Sequence, residues 1–518
     1  MDLPATLPDL LRSAAARWPD REAIACELGA RTISFAEFDA WSDRLARALI
    51  SRGVRPSDVV AVMLPNRIEF PVLWLAILKA GATMTPINTT YRQEDRNHLI
   101  AHSGAVAFIG EEAAVRSVDE DRDRLENLSW LATPEQLSAT PDDPDAVALP
   151  PVHSYATANI QYTSGTTGMP KGCVLSHAYW IRFGAAFLHH GPRLTDSDRI
   201  LTAQAFSYAD PQWNVVATLL SGASLTILEK FSPSRFWQQV CAARTTFFYC
   251  LGAMPTLMLK SPPSTFERAH SVRMILCSAI PSQRHAELQE RFGTPWFEAF
   301  GTTETGADLI VDPAEQAGLV GSGSLGRPVR GKEARVLDAE GRPLPPGEVG
   351  ELALRGVGMM ERYHADPEAT AEAFRGGSYH TGDLVRQDAQ GRFSYVGRTK
   401  DMIRRGGENI SAAEVEAVLQ THPDVVLAAC VPAPDETYGE EIKAFVVLRK
   451  PDAAGQGAAV GMEALQAHVA ARLARFKVPR YWEAVDALPM TPSQRVIKPA
   501  LVASDTRPPR GEDLAPRR

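Results

Sequence analysis

The chain has 518 residues, of which 45% are hydrophobic and 22% are charged. These fractions exclude a wholly disordered chain, a collagen-like chain and a coiled coil, and the length predicts at least two domains. The formal net charge is -8, from 54 Lys and Arg against 62 Asp and Glu, so no basic excess points to a nucleic-acid partner.

The N-terminal part alternates helical and strand patterns. Ser34 and Glu37 have the spacing of a capping box, which marks the start of a helix. The spacing of apolar residues predicts, in order, a helix over Leu7 to Arg17, a strand over Ala23 to Cys26, a helix from Ser34 to Arg52, a strand over Val59 to Leu64 and a helix over Glu69 to Ala80.

Short apolar runs continue this pattern after a proline-rich acidic connection at 140–152. They predict buried strands at Ser224 to Leu228, Thr246 to Leu251 and Val272 to Cys277. The fold class is therefore α/β, with a large, multi-layered N-terminal domain of sheets and helices.

Two changes in pattern divide the rest of the chain. Short strands broken by Gly and Pro turns predict a small β-rich portion at about 331–396. A capping box at Ser411 then opens a smaller α+β unit, with strands near Val425 to Val431 and Ile442 to Leu448 and a helix over Met462 to Arg475. We expect a large domain over 1–399, a small C-terminal domain over 400–503 and a disordered tail over 504–518.

Neither export nor a membrane span is expected. The N-terminus has no basic segment followed by an apolar one, and the longest apolar stretch, Phe70 to Leu78, is too short to cross a bilayer. The six cysteines form no Cys-x-x-Cys pair and no zinc-like cluster, so they are typical of reduced core residues. A cytoplasmic location follows as an expectation.

The segment from Ile160 to Gly172 is the strongest functional signal. Glycines allow close backbone approach to a ligand, and hydroxyls and a lysine are suited to phosphates. It is not a Walker P-loop, because Pro170 precedes the lysine and Gly172 follows it. The expected polyphosphate-binding residues are Thr163, Ser164, Gly165, Thr166, Thr167, Gly168 and Lys171.

This string resembles the signature loop of the adenylate-forming superfamily, which includes acyl-CoA synthetases, peptide-synthetase adenylation domains and luciferases. Three further strings resemble the superfamily's motifs in the same order: Phe300-Gly-Thr-Thr-Glu304, Tyr379-His-Thr-Gly-Asp383 and the hinge string Gly397 to Glu408. With Phe476-Lys-Val-Pro479, the hinge string is most similar to ligases of the carnitine-CoA kind. The resemblance implies ATP, Mg²⁺ and CoA, and a mobile C-terminal domain.

The resemblance also implies roles for individual residues. Glu304 matches the magnesium-binding glutamate, and Thr163 and Lys171 are expected to act with it in catalysis. Asp383 matches the carboxylate that accepts the ribose hydroxyls, and Arg398 a second ribose or phosphate contact. One continuous segment is expected to complete the nucleotide site: Glu298, Ala299, Phe300, Gly301, Thr302 and Thr303.

The C-terminal domain departs from the family at one position. Relatives have a lysine in Thr-Pro-x-Gly-Lys that acts in adenylation, whereas this chain has Arg495 at that place. Arginine keeps the charge but changes reach and hydrogen-bond geometry. Either the composition of the whole chain has drifted from lysine towards arginine, or the chemistry at the activated oxyanion differs from that of the family. Lys498 is a second candidate nucleotide contact, or else a basic residue facing solvent, and Lys400 is the expected hinge between the domains.

The acid pocket is a second departure. Many relatives have Pro-x-Phe-His where this chain has Gln204 to Pro211, so a histidine is lost and polar residues are gained. The pattern favours a polar or aromatic substrate over a long alkyl chain, although core packing explains any single aromatic equally well. The candidate pocket residues are His189, Phe206, Tyr208, Asp210, Trp213, Tyr249 and Ser278.

Three functions are consistent with these residues. The leading one is an ATP- and Mg²⁺-dependent ligase that joins a small carboxylic acid to CoA through an acyl-adenylate. A second is an ATP-dependent diazotase that activates nitrous acid and diazotises an aryl amine. The third is a non-catalytic nucleotide- or acyl-adenylate-binding protein. The sequence leaves a monomer and a homodimer equally open.

Overall fold

Three β-sheets with helices packed on their faces organise the part of the chain that the structure describes. A computed structural model describes residues 3–26, 29–141, 147–163, 170–406, 408–435, 437–449, 460–491, 495–504 and 511–514. No helix within these ranges is both long enough and apolar enough to cross a membrane.

The first part of the chain has the predicted alternation. Ser34 caps the second helix: its Oγ accepts from the Glu37 amide at 3.2 Å, and the Glu37 carboxylate accepts from the Ser34 amide at 2.7 Å. The helices are α1 (Leu7–Arg17), α2 (Phe35–Ser51), α3 (Glu69–Lys79), α4 (Gln93–Ser103), α5 (Glu112–Asp119) and α6 (Pro134–Ser138). The strands are β1 (Glu22–Cys26), β2 (Arg31–Ser34), β3 (Val59–Met63), β4 (Thr83–Pro86), β5 (Ala105–Gly110), β6 (Trp130–Ala132) and β7 (Thr157–Thr163).

The middle of the chain adds strands and helices in turn. The predicted buried strands at residues 224, 246 and 272 are confirmed as β10, β11 and β12, each within two residues of the expected start. The elements are β8 (Lys171–Ser176), α7 (His177–His189), β9 (Arg199–Thr202), α8 (Ala209–Ser221), β10 (Ser224–Ile227), α9 (Phe236–Ala242), β11 (Phe247–Leu251), α10 (Met254–Lys260), β12 (Met274–Ser278), α11 (His285–Phe292), β13 (Trp296–Thr302), β14 (Gly306–Ile310) and α12 (Gln316–Leu319).

The Gly- and Pro-broken segment is rich in strands, as predicted, but it extends the large sheet. Strand β20 pairs with β15 and thereby joins the segment to β14 and β13. The elements are β15 (Ser324–Pro328), β16 (Lys332–Leu337), β17 (Val349–Gly356), β18 (Arg362–Tyr363), α13 (Pro367–Ala373), β19 (Tyr379–Gln387) and β20 (Phe393–Arg398).

The C-terminal elements form a sheet and a core of their own. The predicted helix to Arg475 ends earlier, at Ala470. The elements are β21 (Met402–Arg405), β22 (Glu408–Ser411), α14 (Ala412–Gln420), β23 (Val425–Asp435), β24 (Gly439–Leu448), α15 (Met462–Ala470), β25 (Tyr481–Ala484), α16 (Lys498–Ser504) and β26 (Glu512–Asp513). The core of this unit lies between α14, α15 and the sheet.

The described strands pair in three sheets. The largest has the order β16-β17-β19-β20-β15-β14-β13-β12-β11-β9-β10-β1-β2, the second β18-β8-β7-β4-β3-β5-β6, and the third β22-β21-β24-β25-β26 with β23 beside β24. The strands β3, β4, β5 and β7 and the strands β9 to β13 and β1 pair mostly in parallel and carry helices between them, which confirms the α/β fold class.

Part of the predicted disordered tail is ordered. Strand β26 pairs with β25, and Arg480 forms an ion pair with Asp513 at 2.9 Å. The tail prediction is therefore wrong at residues 511–514. The low apolar content of the tail did not reveal this pairing, because a sheet edge binds a strand through backbone groups that any sequence provides.

Candidate active site

The two ends of the glycine-rich loop lie on adjacent strands. Strands β7 and β8 are antiparallel, and Thr163 pairs with Lys171. The Thr163 hydroxyl donates to the Lys171 carbonyl at 3.5 Å. The predicted phosphate contacts between them lie outside the described residues and stay predictions: Ser164, Gly165, Thr166, Thr167 and Gly168.

Lys171 and Glu304 both contact Tyr363, a residue that the sequence did not indicate. The Lys171 ammonium lies 5.0 Å from the centre of the Tyr363 ring, and the Tyr363 hydroxyl donates to Glu304 Oε1 at 3.2 Å. The Tyr379 hydroxyl lies 3.4 Å from that of Tyr363. The fold therefore brings the predicted phosphate lysine and the predicted metal ligand to one place, although β8 and the turn after β13 are far apart in sequence.

The turn that carries Glu304 is held by buried polar contacts. Gly301 is required there, because a Cβ atom would lie 2.1 Å from the Gly306 carbonyl oxygen. The hydroxyls of Thr302 and Thr305 are 2.8 Å apart, and the Tyr179 hydroxyl donates to the Thr303 carbonyl at 2.8 Å. These contacts fix the orientation of the turn.

Beside this turn lies a buried ion pair. The Lys332 ammonium is 3.3 Å from Asp308 Oδ1, and the Thr305 hydroxyl donates to the same carboxylate. Burial raises the pKa of Asp308 to about 6, although Lys332 opposes the shift. This pair ties β16 to β14 behind the Glu304 turn.

Glu298 accepts hydrogen bonds from the backbone of the loop that follows β12. Its two carboxylate oxygens accept from the amides of Ala279 and Ile280 at 2.6 and 2.8 Å. Ala279 has a positive φ of 73°, which a residue with a side chain adopts only when its surroundings hold it. Burial raises the pKa of Glu298 to about 8, although the two backbone hydrogen bonds oppose the shift. Its predicted place beside adenine, with Ala299 and Phe300, stays a prediction.

Asp383 is a buried carboxylate with one free oxygen. Its side chain is 2% exposed, and Arg398 Nε donates to Oδ1 at 2.8 Å. Within the described part of the chain, the other oxygen, Oδ2, is buried without a hydrogen-bond partner. Burial raises the pKa of Asp383, while the charges of Arg398 and Arg495 oppose the shift. A buried acceptor without a donor is costly in the protein alone, so this oxygen is suited to a ligand hydroxyl.

Arg495 reaches the same region from the C-terminal unit. The Thr491 amide donates to the Arg495 carbonyl at 2.7 Å, and the Arg495 amide donates to the Thr491 hydroxyl at 3.0 Å. The residue is exposed, and its charge acts on Asp210 as well as on Asp383. The predicted adenylation cation thus lies close enough to both carboxylates for its charge to oppose the rise in their pKa values.

Lys498 does not face solvent, so that alternative is wrong. Its ammonium lies 2.8 Å from Glu416 Oε1 and 3.7 Å from Asp401 Oδ2, and its side chain is 17% exposed. To contact a nucleotide, Lys498 would have to leave these carboxylates. Lys400 lies one residue before Asp401, in a short 3₁₀ helix between β20 and β21, where the chain passes from the large sheet to the C-terminal sheet.

The pocket residues divide into a buried group and an accessible group. Phe206 and Trp213 are buried: Phe206 packs on Phe70 with ring centres 5.1 Å apart, and Trp213 stacks on Phe187 at 4.1 Å. Tyr208, Asp210, Tyr249 and Ser278 are partly exposed. His189 is exposed at the end of α7 and takes no part in the aromatic contacts found among the described residues.

A chain of contacts connects the pocket to the predicted adenine segment. Trp213 meets Tyr249 edge to face at 5.6 Å, and the Tyr249 hydroxyl donates to Ser278 Oγ at 2.8 Å. Ser278 Oγ donates in turn to the Ala299 carbonyl at 2.5 Å. The acid pocket and the nucleotide segment therefore share one wall.

A buried amide network is the main feature that sequence reasoning missed. Gln212 Nε2 donates to the carbonyls of Phe206 and Tyr208 at 3.0 and 3.1 Å and to Gln161 Oε1 at 3.1 Å. Asn159 Nδ2 donates to Gln212 Oε1 at 2.9 Å. Amides inside the apolar strand β7 were a signal for it, since buried amides need partners.

Comparison with known proteins gives concordant matches over most of the chain. The family model described as AMP-binding enzyme matches residues 11–364, and the AMP-binding enzyme C-terminal domain matches residues 414–495. A sulfoacetate–CoA ligase of Cupriavidus necator is 32% identical over 499 residues, covering 95% of this chain and 96% of its own. A crotonobetaine/carnitine–CoA ligase of Escherichia coli is 31% identical, covering 92% of this chain and 95% of its own.

A solved structure of a CoA synthetase also matches nearly the whole chain. The o-succinylbenzoate CoA synthetase of Bacillus subtilis, in complex with its acyl-adenylate intermediate, superimposes with a TM-score of 0.83 at 27% identity. The match covers 98% of this chain and 99% of the other.

Proposed function

The chain belongs to the AMP-binding enzyme family, and from that premise we propose that it is an ATP-dependent ligase that couples an organic acid to CoA through an acyl-adenylate. The observation that carries the proposal is the convergence at Asp383. Among the described residues its Oδ2 is buried without a hydrogen-bond partner, its Oδ1 accepts from Arg398, and the charge of Arg495 from the C-terminal unit opposes the rise in its pKa. A buried acceptor beside cations is suited to a ribose next to a phosphate.

The nucleotide would be held at both ends. Asp383 Oδ2 would accept a ribose hydroxyl, and the loop ending at Lys171 would hold the phosphates. Glu304 would hold a magnesium ion, which when bound neutralises phosphate charge. Among the described residues, no group of three or more His, Cys, Asp or Glu side chains could hold a metal. Glu304 is a single carboxylate, the kind of protein ligand that binds magnesium together with the phosphates of a nucleotide.

In the first half-reaction, a carboxylate oxygen of the acid attacks the α-phosphorus of ATP. The bond from that phosphorus to the bridging oxygen breaks, and pyrophosphate leaves. Arg495 would stabilise the negative charge on the α-phosphate and the attacking carboxylate, as a fixed cation placed where charge develops. Its planar guanidinium can donate two parallel hydrogen bonds to such oxygens.

In the second half-reaction, the thiol of CoA attacks the acyl carbon and AMP leaves with the oxygen that linked them. We propose that the C-terminal unit turns about Lys400 between the two steps, taking Arg495 with it. Lys498 would move as part of the same unit, since its carboxylate partners lie in the segment from Asp401 onwards.

Acid-dependent pyrophosphate release tests this proposal. The panel contains aliphatic acids, aromatic acids, and nitrite together with aryl amines, each with and without CoA. The ligase predicts pyrophosphate with an acid and a thioester only when CoA is present. Pyrophosphate only with nitrite and an amine, and no effect of CoA, would instead identify a diazotase. ATP binding without pyrophosphate under any condition would indicate a non-catalytic nucleotide-binding protein.

A further inference from the structure

Asp210 is a carboxylate among candidate pocket residues that are mostly aromatic. It lies in the first turn of α8, between Tyr208 and Trp213, and it is partly exposed. The Trp213 side chain is buried, donates a hydrogen bond to the Asp210 carboxylate and meets Tyr249 at 5.6 Å. The carboxylate therefore borders the accessible side of the pocket.

The position of Asp210 is fixed by its surroundings. The Asn214 side chain donates to the Asp210 carbonyl at 2.6 Å. The preceding residues are held by Gln212, and Gln161 Nε2 donates to the Ser207 carbonyl at 2.5 Å. Because Gln161 lies two residues before Thr163 on β7, these bonds tie the segment that leads into Asp210 to the strand that carries Thr163.

The charges of the site determine what Asp210 can do. Burial raises the pKa of Asp210 to about 6, although the charge of Arg495 opposes the shift, so the carboxylate is mainly ionised at pH 7. In the proposed reaction, the carboxylate of the substrate takes the guanidinium of Arg495. The Asp210 carboxylate, which also accepts from the Trp213 side chain, then loses the positive charge that opposes the rise in its pKa, and a further hydrogen-bond donor on the substrate would stabilise its ionised form.

We propose that Asp210 is a specificity-determining residue, which selects aromatic acids bearing a hydrogen-bond donor, an amino or hydroxyl group, and rejects acids with a second anionic group. The proposal rests on the proposed function, since the acid must enter this pocket. A donor on the ring would satisfy Asp210, and the ring would pack on Tyr208 and Tyr249. A second carboxylate would meet a like charge where water is scarce, which is unfavourable.

Matched acids test the proposal by binding and by turnover. The set has three members, 3-aminobenzoate, benzoate and isophthalate, and a second set uses the same substituents on cinnamate. Binding is measured by calorimetry with a non-hydrolysable ATP analogue present, and turnover as kcat/KM of pyrophosphate release. The variant is Asp210→Asn, which keeps the shape of the side chain. Asp196→Asn, at an exposed site of the same domain, is the control.

In each set, the wild-type enzyme and Asp196→Asn should bind the amino-substituted acid about tenfold or more tighter than the unsubstituted acid, since a hydrogen bond to a charged group is worth about that factor. The dicarboxylate should bind most weakly. Asp210→Asn should lose most of this advantage and accept the dicarboxylate better, with ATP affinity unchanged. A wild-type preference for the dicarboxylate, or the wild-type order retained in Asp210→Asn, would overturn the proposal.

The two proposals fail separately. If the acids bind in the predicted order without pyrophosphate release, the specificity proposal stands and the ligase proposal fails. If pyrophosphate is released but the amino, unsubstituted and dicarboxylic acids bind equally, the ligase proposal stands and Asp210 has no selective role. If the variant does not bind ATP, the binding order of the wild-type enzyme decides.

Discussion

The nucleotide end of the site and its acid pocket are built in different ways. At the nucleotide end, contiguous motifs supply Lys171 at the start of β8, Glu304 in the turn between β13 and β14, and Asp383 within β19. The acid pocket draws single side chains from α8, β11 and β12, joined by contacts such as that between Tyr249 and Ser278. Phosphates and ribose require particular backbone positions, so their sites leave sequence motifs, whereas a pocket for one acid requires only a shape and a few charges.

The largest effect is expected at Arg495, which we propose acts on both the nucleotide and the acid. Arg495→Ala should lower the rate of pyrophosphate release about a hundredfold or more, because it removes a cation aimed at the charge that develops in the reaction. ATP affinity should fall less than the rate. Single-turnover kinetics separate the change in ATP affinity from the change in the rate of pyrophosphate release.

The matched variant is Arg495→Lys, which restores the family's residue. It should retain or raise activity with carboxylic acids if composition has merely drifted. A near-normal rate in Arg495→Ala would show that the catalytic cation lies elsewhere.

A smaller effect is expected at Asp383, and it concerns the nucleotide end alone. Asp383→Asn replaces a carboxylate oxygen by an amide nitrogen and leaves Arg398 without its charged partner. We expect ATP affinity to fall about tenfold or more, while the order of preference among acids is unchanged. Calorimetry with ATP measures the first and pyrophosphate release the second.

Asp388→Asn is the control for this variant, since Asp388 forms a similar pair with Arg392 in an exposed turn. A changed acid preference in Asp383→Asn would contradict the separation of the two ends.

Tyr363 should have a more modest effect. Tyr363→Phe removes the hydroxyl that orients Glu304 but keeps the ring beneath Lys171. The magnesium concentration needed for half-maximal activity should therefore rise several-fold, with little change in kcat at saturating magnesium. Tyr155→Phe, at a residue that is 78% exposed, should leave the titration unchanged. Equal titrations for the wild-type enzyme and Tyr363→Phe would remove Tyr363 from the metal site.

The smallest effect is expected in stability at Glu298. Its pKa is raised to about 8 by burial, so the folded protein holds this proton over a pH range where the unfolded chain, with a pKa near 4.5, has lost it. The contribution of this group to stability is full below pH 4.5 and decreases as pH rises to about 8. The difference in Tm between the wild-type protein and Glu298→Gln should therefore become less favourable to the wild type from pH 5 to pH 8. A constant difference would mean that Glu298 is ionised in the fold at all these pH values.

The same contrast explains what could be predicted from the sequence. The helix Leu7–Arg17 and the capping box at Ser34 are local features, determined by residues three or four apart, and they are confirmed. The nucleotide motifs are local in the same sense. The structure brings two of them, at Lys171 and Glu304, to one place.

The rest depends on contacts between distant parts of the chain. Tyr363 reaches Glu304 because β18 pairs with β8, and Lys498 is paired with Glu416, a residue on another helix of its own unit. Strand β26 is held by backbone pairing with β25 and by the ion pair of Asp513 with Arg480. No local spacing signals such contacts, since they depend on which elements the fold places side by side.

The central claim is that an oxygen of the acid attacks the α-phosphorus of ATP, and isotope transfer tests it directly. An acid labelled with ¹⁸O in its carboxylate is incubated with enzyme, ATP, magnesium and CoA, and the products are analysed by mass spectrometry. The account predicts one ¹⁸O atom in AMP, none in pyrophosphate and the other in the thioester. Label in inorganic phosphate, or AMP formed without label, would contradict it.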